Sequence, residues 1–162
     1  MALEIERKFL LRGDGWRPLV RETRLMVQGY LARTPVAVRV RLEGPRATLG
    51  LKQASTSISR LEFEYPIPLA DAEALLRLCP EPPLRKLRHR VPFAGAEFEI
   101  DEFLEANAGL VLAELELPSE DAEFPRPPWL GREVSSDPRF LNVELARRPF
   151  ASWSAEERAS CC

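Results

Sequence analysis

Residues 36–43 read V-A-V-R-V-R-L-E, and residues 97–103 read E-F-E-I-D-E-F. Apolar and charged side chains alternate in both stretches with a period of two, which is the period of a β-strand rather than of a helix. Gly44-Pro45 and Ala94-Gly95 interrupt such runs at short intervals and are typical of hairpin turns. The pattern therefore predicts antiparallel neighbouring strands.

The same alternation covers most of the chain and predicts a mostly β (α+β) protein with about eight strands. These are expected at residues 3–11, 24–32, 36–43, 47–53, 59–67, 84–92, 97–103 and 110–117. Helices are expected at residues 69–78 and 138–147, the second with Asp137 as a candidate N-cap. Residues 118–133 are proline-rich and acidic, which predicts an irregular segment that wraps over the strands.

The length of 162 residues, with 45% hydrophobic and 30% charged side chains, is typical of one domain with its own core. We expect a single domain over residues 1–150 and a frayed tail over residues 151–162. The net charge of −2 provides no field that would attract nucleic acid or an anionic membrane. Neither is therefore expected as a partner, while a monomer and a homodimer both remain open.

The N-terminal residues carry charge where a signal peptide needs an apolar core, and no apolar run approaches the ~18 residues of a membrane span. The cysteines are Cys79, Cys161 and Cys162, which form neither an even disulfide framework nor a metal-binding spacing. These features predict a cytoplasmic protein.

The charges on the polar faces of the predicted strands are separated by sign. Two strands carry only basic residues on this face, namely Arg39 and Arg41 on one and Lys86, Arg88 and Arg90 on the other. Three carry only acidic residues there: Glu62 and Glu64; Glu97, Glu99 and Asp101; and Glu114 and Glu116. An alternating strand usually turns its polar face to water, but a solvated face normally mixes signs. Neighbouring like charges destabilise a sheet, so their repetition indicates bound ions of opposite kinds. Clustered carboxylates suit Mg²⁺ or Mn²⁺, and clustered Arg and Lys suit phosphate oxygens, which together predict a metal and polyphosphate pocket.

Ten short blocks follow one another over nearly the whole chain: E-I-E-R-K at 4–8, G-Y-L at 29–31, V-R-V-R-L at 38–42, L-G-L-K at 49–52, S-R-L-E-F-E-Y at 59–65, R-K-L-R at 85–88, F-E-I-D-E-F at 98–103, G-L-V-L-A-E-L-E-L at 109–117, W-L-G-R-E-V at 129–134 and N-V-E-L-A at 142–146. In this order they resemble the CYTH, or triphosphate tunnel metalloenzyme, family of the short bacterial type. The resemblance implies an eight-stranded closed antiparallel β-barrel with a few helices packed outside. It also implies Mg²⁺ or Mn²⁺ as cofactor and a small-molecule triphosphate as substrate.

The resemblance further implies roles for individual residues. Phosphate groups would be bound by Lys8, Arg39, Arg41, Lys52, Arg60, Lys86 and Arg88. The metal would be bound by Glu4, Glu6, Glu114 and Glu116, with Glu62, Glu64, Glu99 and Asp101 as further members of the acidic side. Tyr30 would take part in proton transfer, with Lys86 promoting its ionisation; the alternative for Tyr30 is an ordinary strand aromatic packed in the core. The single histidine, His89, lies on the apolar face of its strand and is expected to be a packing residue.

These assignments predict a triphosphatase in which water attacks the triphosphate directly. The preferred substrate is inorganic tripolyphosphate, because the chain is hardly longer than the barrel itself. No Cys/His or Ser/His arrangement and no Walker-type glycine loop indicates covalent or P-loop chemistry. The alternatives with the same tunnel are a class IV-like adenylate cyclase and a thiamine triphosphatase. A triphosphate-binding module without turnover is the alternative from a different class.

Overall fold

The computed structural model describes residues 3–161, and this part of the chain contains nine strands and three α-helices. The elements are β1 (Leu3–Leu11), β2 (Glu22–Ala32), β3 (Val36–Glu43), β4 (Arg46–Gln53), β5 (Ser59–Pro66), α1 (Leu69–Arg77), β6 (Leu84–Phe93), β7 (Ala96–Phe103), β8 (Val111–Glu116), β9 (Leu130–Glu133), α2 (Asn142–Arg147) and α3 (Ala155–Ala159). Short 3₁₀ helices lie at Arg17–Leu19, Glu105–Asn107, Pro138–Phe140 and Phe150–Ser152. No helix in residues 3–161 has the length and apolar character needed to cross a membrane.

The first eight strands form a closed antiparallel barrel. Their order is β5-β4-β3-β2-β6-β7-β8-β1, and a further pairing of β1 with β5 closes the sheet. The hairpins β3–β4 and β6–β7 turn at Gly44 and Gly95, whose φ values of 56° and 86° lie in the left-handed region that glycine adopts freely. The predicted eight-stranded barrel is thus confirmed, and all eight predicted strands are present.

The ninth strand corrects the prediction of an irregular segment over residues 118–133. β9 pairs with the last residues of β1, beyond the point where β5 leaves that strand. The close approach depends on Gly131, because a Cβ at this position would lie 2.7 Å from the carbonyl oxygen of Leu10. Alternation over four residues that follow a proline-rich stretch is too short to reveal such a strand.

The expectation of a frayed tail after Phe150 is wrong for the described residues 151–161. Trp153 is buried against Phe140 and Phe150, and α3 begins with a complete capping box at Ser154 and Glu157. The predicted helix over residues 138–147 is a 3₁₀ turn followed by α2, and the side chain of Asp137 accepts a hydrogen bond from the backbone N–H of Arg139. The capping role predicted for Asp137 is therefore confirmed.

Apolar packing occurs both outside the barrel and at one of its ends. α1 covers the outer face of β3 and β4 at Val40 and Ala47, as expected for an external helix. The C-terminal segment instead packs against inward-facing apolar residues, including Leu10 and Phe103, which follow Lys8 and Asp101 at a spacing of two. One end of the barrel is thus closed by apolar side chains, and the charged residues lie above them.

His89 is a packing residue, as predicted. Its ring lies 5.1 Å from the ring of Trp16, and Nδ1 lies 2.8 Å from the hydroxyl oxygen of Thr23. The side chain is buried on the outer face of β6 and takes no part in lining the lumen.

Candidate active site

The barrel encloses a cavity of about 1280 Å³ that receives side chains from all eight of its strands. The lining includes the basic residues Lys8, Arg39, Arg41, Lys52, Arg60, Lys86 and Arg88, and the acidic residues Glu4, Glu6, Glu62, Glu64, Glu99, Glu114 and Glu116, together with Tyr30. Asp101 is completely buried behind this wall. The alternation of the strands therefore brings all but one of the predicted site residues onto a single cavity.

Basic side chains on β3 and β4 face acidic side chains on β5. Arg39 donates to Glu62 at 3.1 Å, and Arg41 donates to Glu64 at 3.0 Å. Gly50, opposite Arg39 in the β3–β4 register, leaves room for its guanidinium, since a Cβ at this position would lie 3.4 Å from Nη2. Glu62 and Glu64 thus act here as counter-ions of the arginines.

A second basic group lies on β6 around the buried Asp101. Lys86 Nζ donates to Asp101 at 2.6 Å, and Arg88 donates to both oxygens of Asp101 at 2.7 and 2.8 Å. Lys86 is only 1% exposed, and burial lowers its pKa to about 8 although Asp101 opposes the shift. Both oxygens of Asp101 are occupied, so the structure places this residue behind the basic side chains and not among the acidic ones.

Glu114 joins the basic and acidic parts of the cavity. Its carboxylate accepts from Arg88 at 2.7 Å and lies 3.2 Å from Lys8 Nζ. Burial disfavours its charge, but Lys8 and Arg88 outweigh burial and hold the pKa of Glu114 well below its usual range. Lys8 also donates to the carbonyl oxygen of Phe140 at 3.2 Å, which ties it to the C-terminal segment.

Carboxylates accumulate on β1 and β8. Glu6 lies opposite Glu116 in the register of these strands, and Glu4 lies two residues away on the same face. Burial and the charge of Glu114 raise the pKa of Glu6, while burial, the charge of Glu6 and a hydrogen bond to Glu62 raise the pKa of Glu4 to about 8. Burial is the main cause of both shifts and repulsion between the carboxylates adds to it, so an additional positive charge here would stabilise their ionised forms.

The donor set on β1 and β8 fits a divalent cation in its chemistry. Within residues 3–161 no three acidic, histidine or cysteine side chains are already arranged to hold a metal ion. Glu4 Oε2 is instead paired with Lys52 Nζ, and Glu114 Oε1 lies 3.2 Å from Lys8 Nζ. Clustered carboxylate oxygens suit a divalent cation such as Mg²⁺ or Mn²⁺, which would take the place of these lysines.

Tyr30 lies on the cavity wall and is 7% exposed. Its hydroxyl oxygen accepts a hydrogen bond from Gln28 Nε2 at 3.0 Å, and the residue lies opposite Arg39 in the β2–β3 register. Lys86 has Asp101 and Asn142 as its partners, the latter at 3.3 Å. A direct action of Lys86 on Tyr30 therefore stays a prediction.

Three further residues at this end of the lumen were not singled out in the sequence. Gln28 shares the inward face of β2 with Tyr30, so its spacing of two was a usable signal. Asn142 and Glu144 belong to α2, and Glu144 lies 3.6 Å from Arg33 across the cavity rim. Only the packing of the C-terminal segment against the barrel brings these two residues to the site.

The closed antiparallel barrel with acidic and basic walls inside places this protein in the class of tunnel-type barrels. More particularly, the chain belongs to the CYTH domain family, whose model matches residues 2–149.

Two relatives and a solved structure are similar over most of their length. The chain is 45% identical to an inorganic triphosphatase of Acetivibrio thermocellus, covering 94% of this chain and 99% of that protein. It is 37% identical to an inorganic triphosphatase of Nitrosomonas europaea, covering 88% and 96% respectively. A crystal structure of an inorganic triphosphatase superimposes with a TM-score of 0.64 at 34% identity, covering 90% of this chain and 95% of that one.

Proposed function

We propose that this protein hydrolyses inorganic tripolyphosphate to pyrophosphate and phosphate with the help of Mg²⁺ or Mn²⁺. The observation that carries the proposal is the lumen itself, where two groups of buried cations face a cluster of carboxylates, among which burial and mutual repulsion raise the pKa values of Glu4 and Glu6. The two relatives named above are inorganic triphosphatases that match this chain almost end to end, which supports the same activity here.

The basic side chains of the lumen would bind the phosphate groups. Arginine has a planar, permanently charged guanidinium that can hold two phosphate oxygens at once, whereas lysine acts as a point charge. We assign Arg39, Arg41, Arg60 and Arg88 to the first mode and Lys8, Lys52 and Lys86 to the second. An incoming triphosphate would replace carboxylates such as Glu62 and Glu64 as the partner of these cations.

Glu4, Glu6, Glu114 and Glu116 would hold the metal ion. When bound, a divalent cation neutralises phosphate charge and lowers the pKa of water. We assign Glu62, Glu64 and Glu99 to the surrounding acidic wall, as counter-ions. Asp101 receives a positioning role, because its two oxygens hold Lys86 and Arg88 and it does not reach the cavity.

The reaction is a direct displacement at the terminal phosphorus. An oxygen of water forms a new bond to phosphorus while the bond to the bridging oxygen breaks, and pyrophosphate leaves with the electron pair. We propose that the proton lost by the water passes to Tyr30 in its phenolate form. Positioning and charge neutralisation by the lumen supply most of the acceleration in such a reaction.

The lining favours an inorganic substrate over a nucleotide or thiamine triphosphate. Among the described lining residues, Tyr30 and Phe124 are the aromatic ones. Tyr30 is only 7% exposed, and the ring of Phe124 packs against Phe9 at 5.7 Å and beneath Arg126 at 4.8 Å. Neither residue therefore presents an open ring face for stacking on a planar base, which is how proteins commonly hold such groups.

Assays of the full-length protein with tripolyphosphate, ATP and thiamine triphosphate, each with Mg²⁺ and with Mn²⁺, test the proposal. We expect phosphate and pyrophosphate from tripolyphosphate, no release without metal, and at least tenfold lower kcat/KM for the two organic triphosphates. Cyclic AMP from ATP would identify a cyclase, and preference for thiamine triphosphate would identify the other alternative. Tight binding of tripolyphosphate without any release of phosphate would show a binding module.

A further inference from the structure

Gln28 is an uncharged polar residue on the inward face of β2, beside the charged wall of the lumen. It is 0% exposed and points to the same side of β2 as Tyr30. Its neighbours in register are Arg41 on β3 and Leu84 on β6. The amide Nε2 donates to the hydroxyl oxygen of Tyr30 at 3.0 Å.

The other half of the same amide has no partner. Gln28 Oε1 is buried and accepts no hydrogen bond within residues 3–161. A buried acceptor without a donor destabilises a fold, so an apolar side chain of similar length would suit this position better on packing grounds alone. Such local conflicts with folding are typical of positions that serve a site.

The direction of the hydrogen bond decides what Tyr30 can do. Because Gln28 supplies a hydrogen to the phenolic oxygen, the single proton of the phenol has to point away from Gln28. A donor to this oxygen also stabilises the phenolate relative to the phenol, since hydrogen bonds to the charged form favour that form. The charged lining residues on the elements packed against β2 are Arg39 and Arg41 on β3, Lys86, Arg88 and Arg90 on β6, and Glu144 on α2.

We propose that Gln28 is a positioning residue that orients the hydroxyl of Tyr30 and stabilises its phenolate through the Nε2 hydrogen bond. The inference rests on the proposed function only for the role of Tyr30 in proton transfer. Gln28 contacts the hydroxyl of Tyr30 and acts through the tyrosine.

The test compares Gln28→Met, which keeps the length of the side chain but removes both hydrogen-bonding groups, with Gln28→Glu, which removes the donor and adds an acceptor. Gln28→Met should lower kcat for tripolyphosphate about 10- to 100-fold and leave KM within about threefold. It should also move the acidic limb of the rate–pH profile to higher pH by about one pH unit, which is the size expected for one hydrogen bond to a charged group. Gln28→Glu should move the limb further in the same direction. Thr48→Val is the matched control, because it removes a different buried polar group without a hydrogen bond and leaves the Gln28–Tyr30 hydrogen bond in place.

Two readouts separate this inference from the proposed function. In a Tyr30→Phe background, adding Gln28→Met should change kcat less than threefold, whereas independent effects would multiply and overturn the proposal. In a Tyr65→Phe background Tyr30 is the sole tyrosine, so the rise of tyrosinate absorbance with pH can be followed without any substrate. We expect this rise at higher pH in Gln28→Met than in the parent. An unchanged absorbance titration would overturn the inference even if the enzyme hydrolyses tripolyphosphate, and a shifted one would support it even if the substrate is different.

Discussion

Replacement of Asp101 by Asn should destabilise the protein strongly, because two buried cations depend on this carboxylate. Asp101 is 0% exposed and accepts three hydrogen bonds from Lys86 and Arg88, at 2.6, 2.7 and 2.8 Å. Removal of one partner from a buried ion pair costs about 3–5 kcal/mol. For a chain of this length 1 kcal/mol corresponds to about 2–4 °C, so the melting temperature should fall by about 6–20 °C.

Thermal and urea unfolding of Asp101→Asn measure this effect directly. Glu97→Gln is the matched control on the same strand and the same face, because Glu97 is partly exposed and pairs with the exposed Arg90. We expect the control to lie within about 1 kcal/mol of the parent. Addition of Lys86→Met to Asp101→Asn should recover part of the loss, as expected for residues in one network. A free energy of unfolding for Asp101→Asn equal to that of the control would refute the assignment of Asp101 as the anchor of Lys86 and Arg88.

Three further substitutions probe the phosphate side, the metal side and the C-terminal end. Arg41→Ala should lower kcat/KM about 10- to 100-fold, since a hydrogen bond between charged groups contributes about 1.5–3 kcal/mol. The control Arg46→Ala, at an exposed position, should keep parental kinetics. Parental kinetics in both variants would show that Arg41 does not bind phosphate. Glu6→Gln removes one of the clustered carboxylates, so the melting temperature of the metal-free protein should not fall. The increase in melting temperature that Mg²⁺ or Mn²⁺ produces should largely disappear. An increase as large as in the parent would show that the ion binds elsewhere. The hydrogen bond from Arg148 lowers the pKa of Glu157 from 4.5 to about 2, so its contribution to stability is complete above pH 4.5 and is lost as the pH falls through 2. Glu157→Gln should therefore be less stable than the parent at neutral pH and equal to it only below pH 2, and a deficit independent of pH would contradict this account.

Several features of the site followed from strand periodicity. Because residues two apart share a face, Arg39 with Arg41 and Glu114 with Glu116 were predicted to point the same way, and the barrel places all four on one cavity. The hairpin turns were predictable for the same local reason, since Gly44 and Gly95 adopt backbone angles that other residues avoid.

Contacts between distant segments could not be predicted from the sequence. β9 can pair with β1 because Gly131 allows its backbone to approach Leu10. The C-terminal residues are ordered because Trp153 is buried among residues of other elements. The same holds for Asp101, whose acidic character suggested a place among the metal-binding residues. Because Asp101 lies opposite Arg88 in the β6–β7 register, it instead forms an ion pair with the basic side chains.

The sequence by itself thus determined the strands, their inward faces and the chemical character of the lumen, because these depend on the two-residue repeat of extended backbone. Only the tertiary structure decided which charge neutralises which, how one end of the barrel is closed, and that Gln28 donates to Tyr30. Those features depend on the register between strands and on the packing of the C-terminal segment. Both are fixed by the balance of burial and hydrogen bonding over the whole molecule, which no local pattern records.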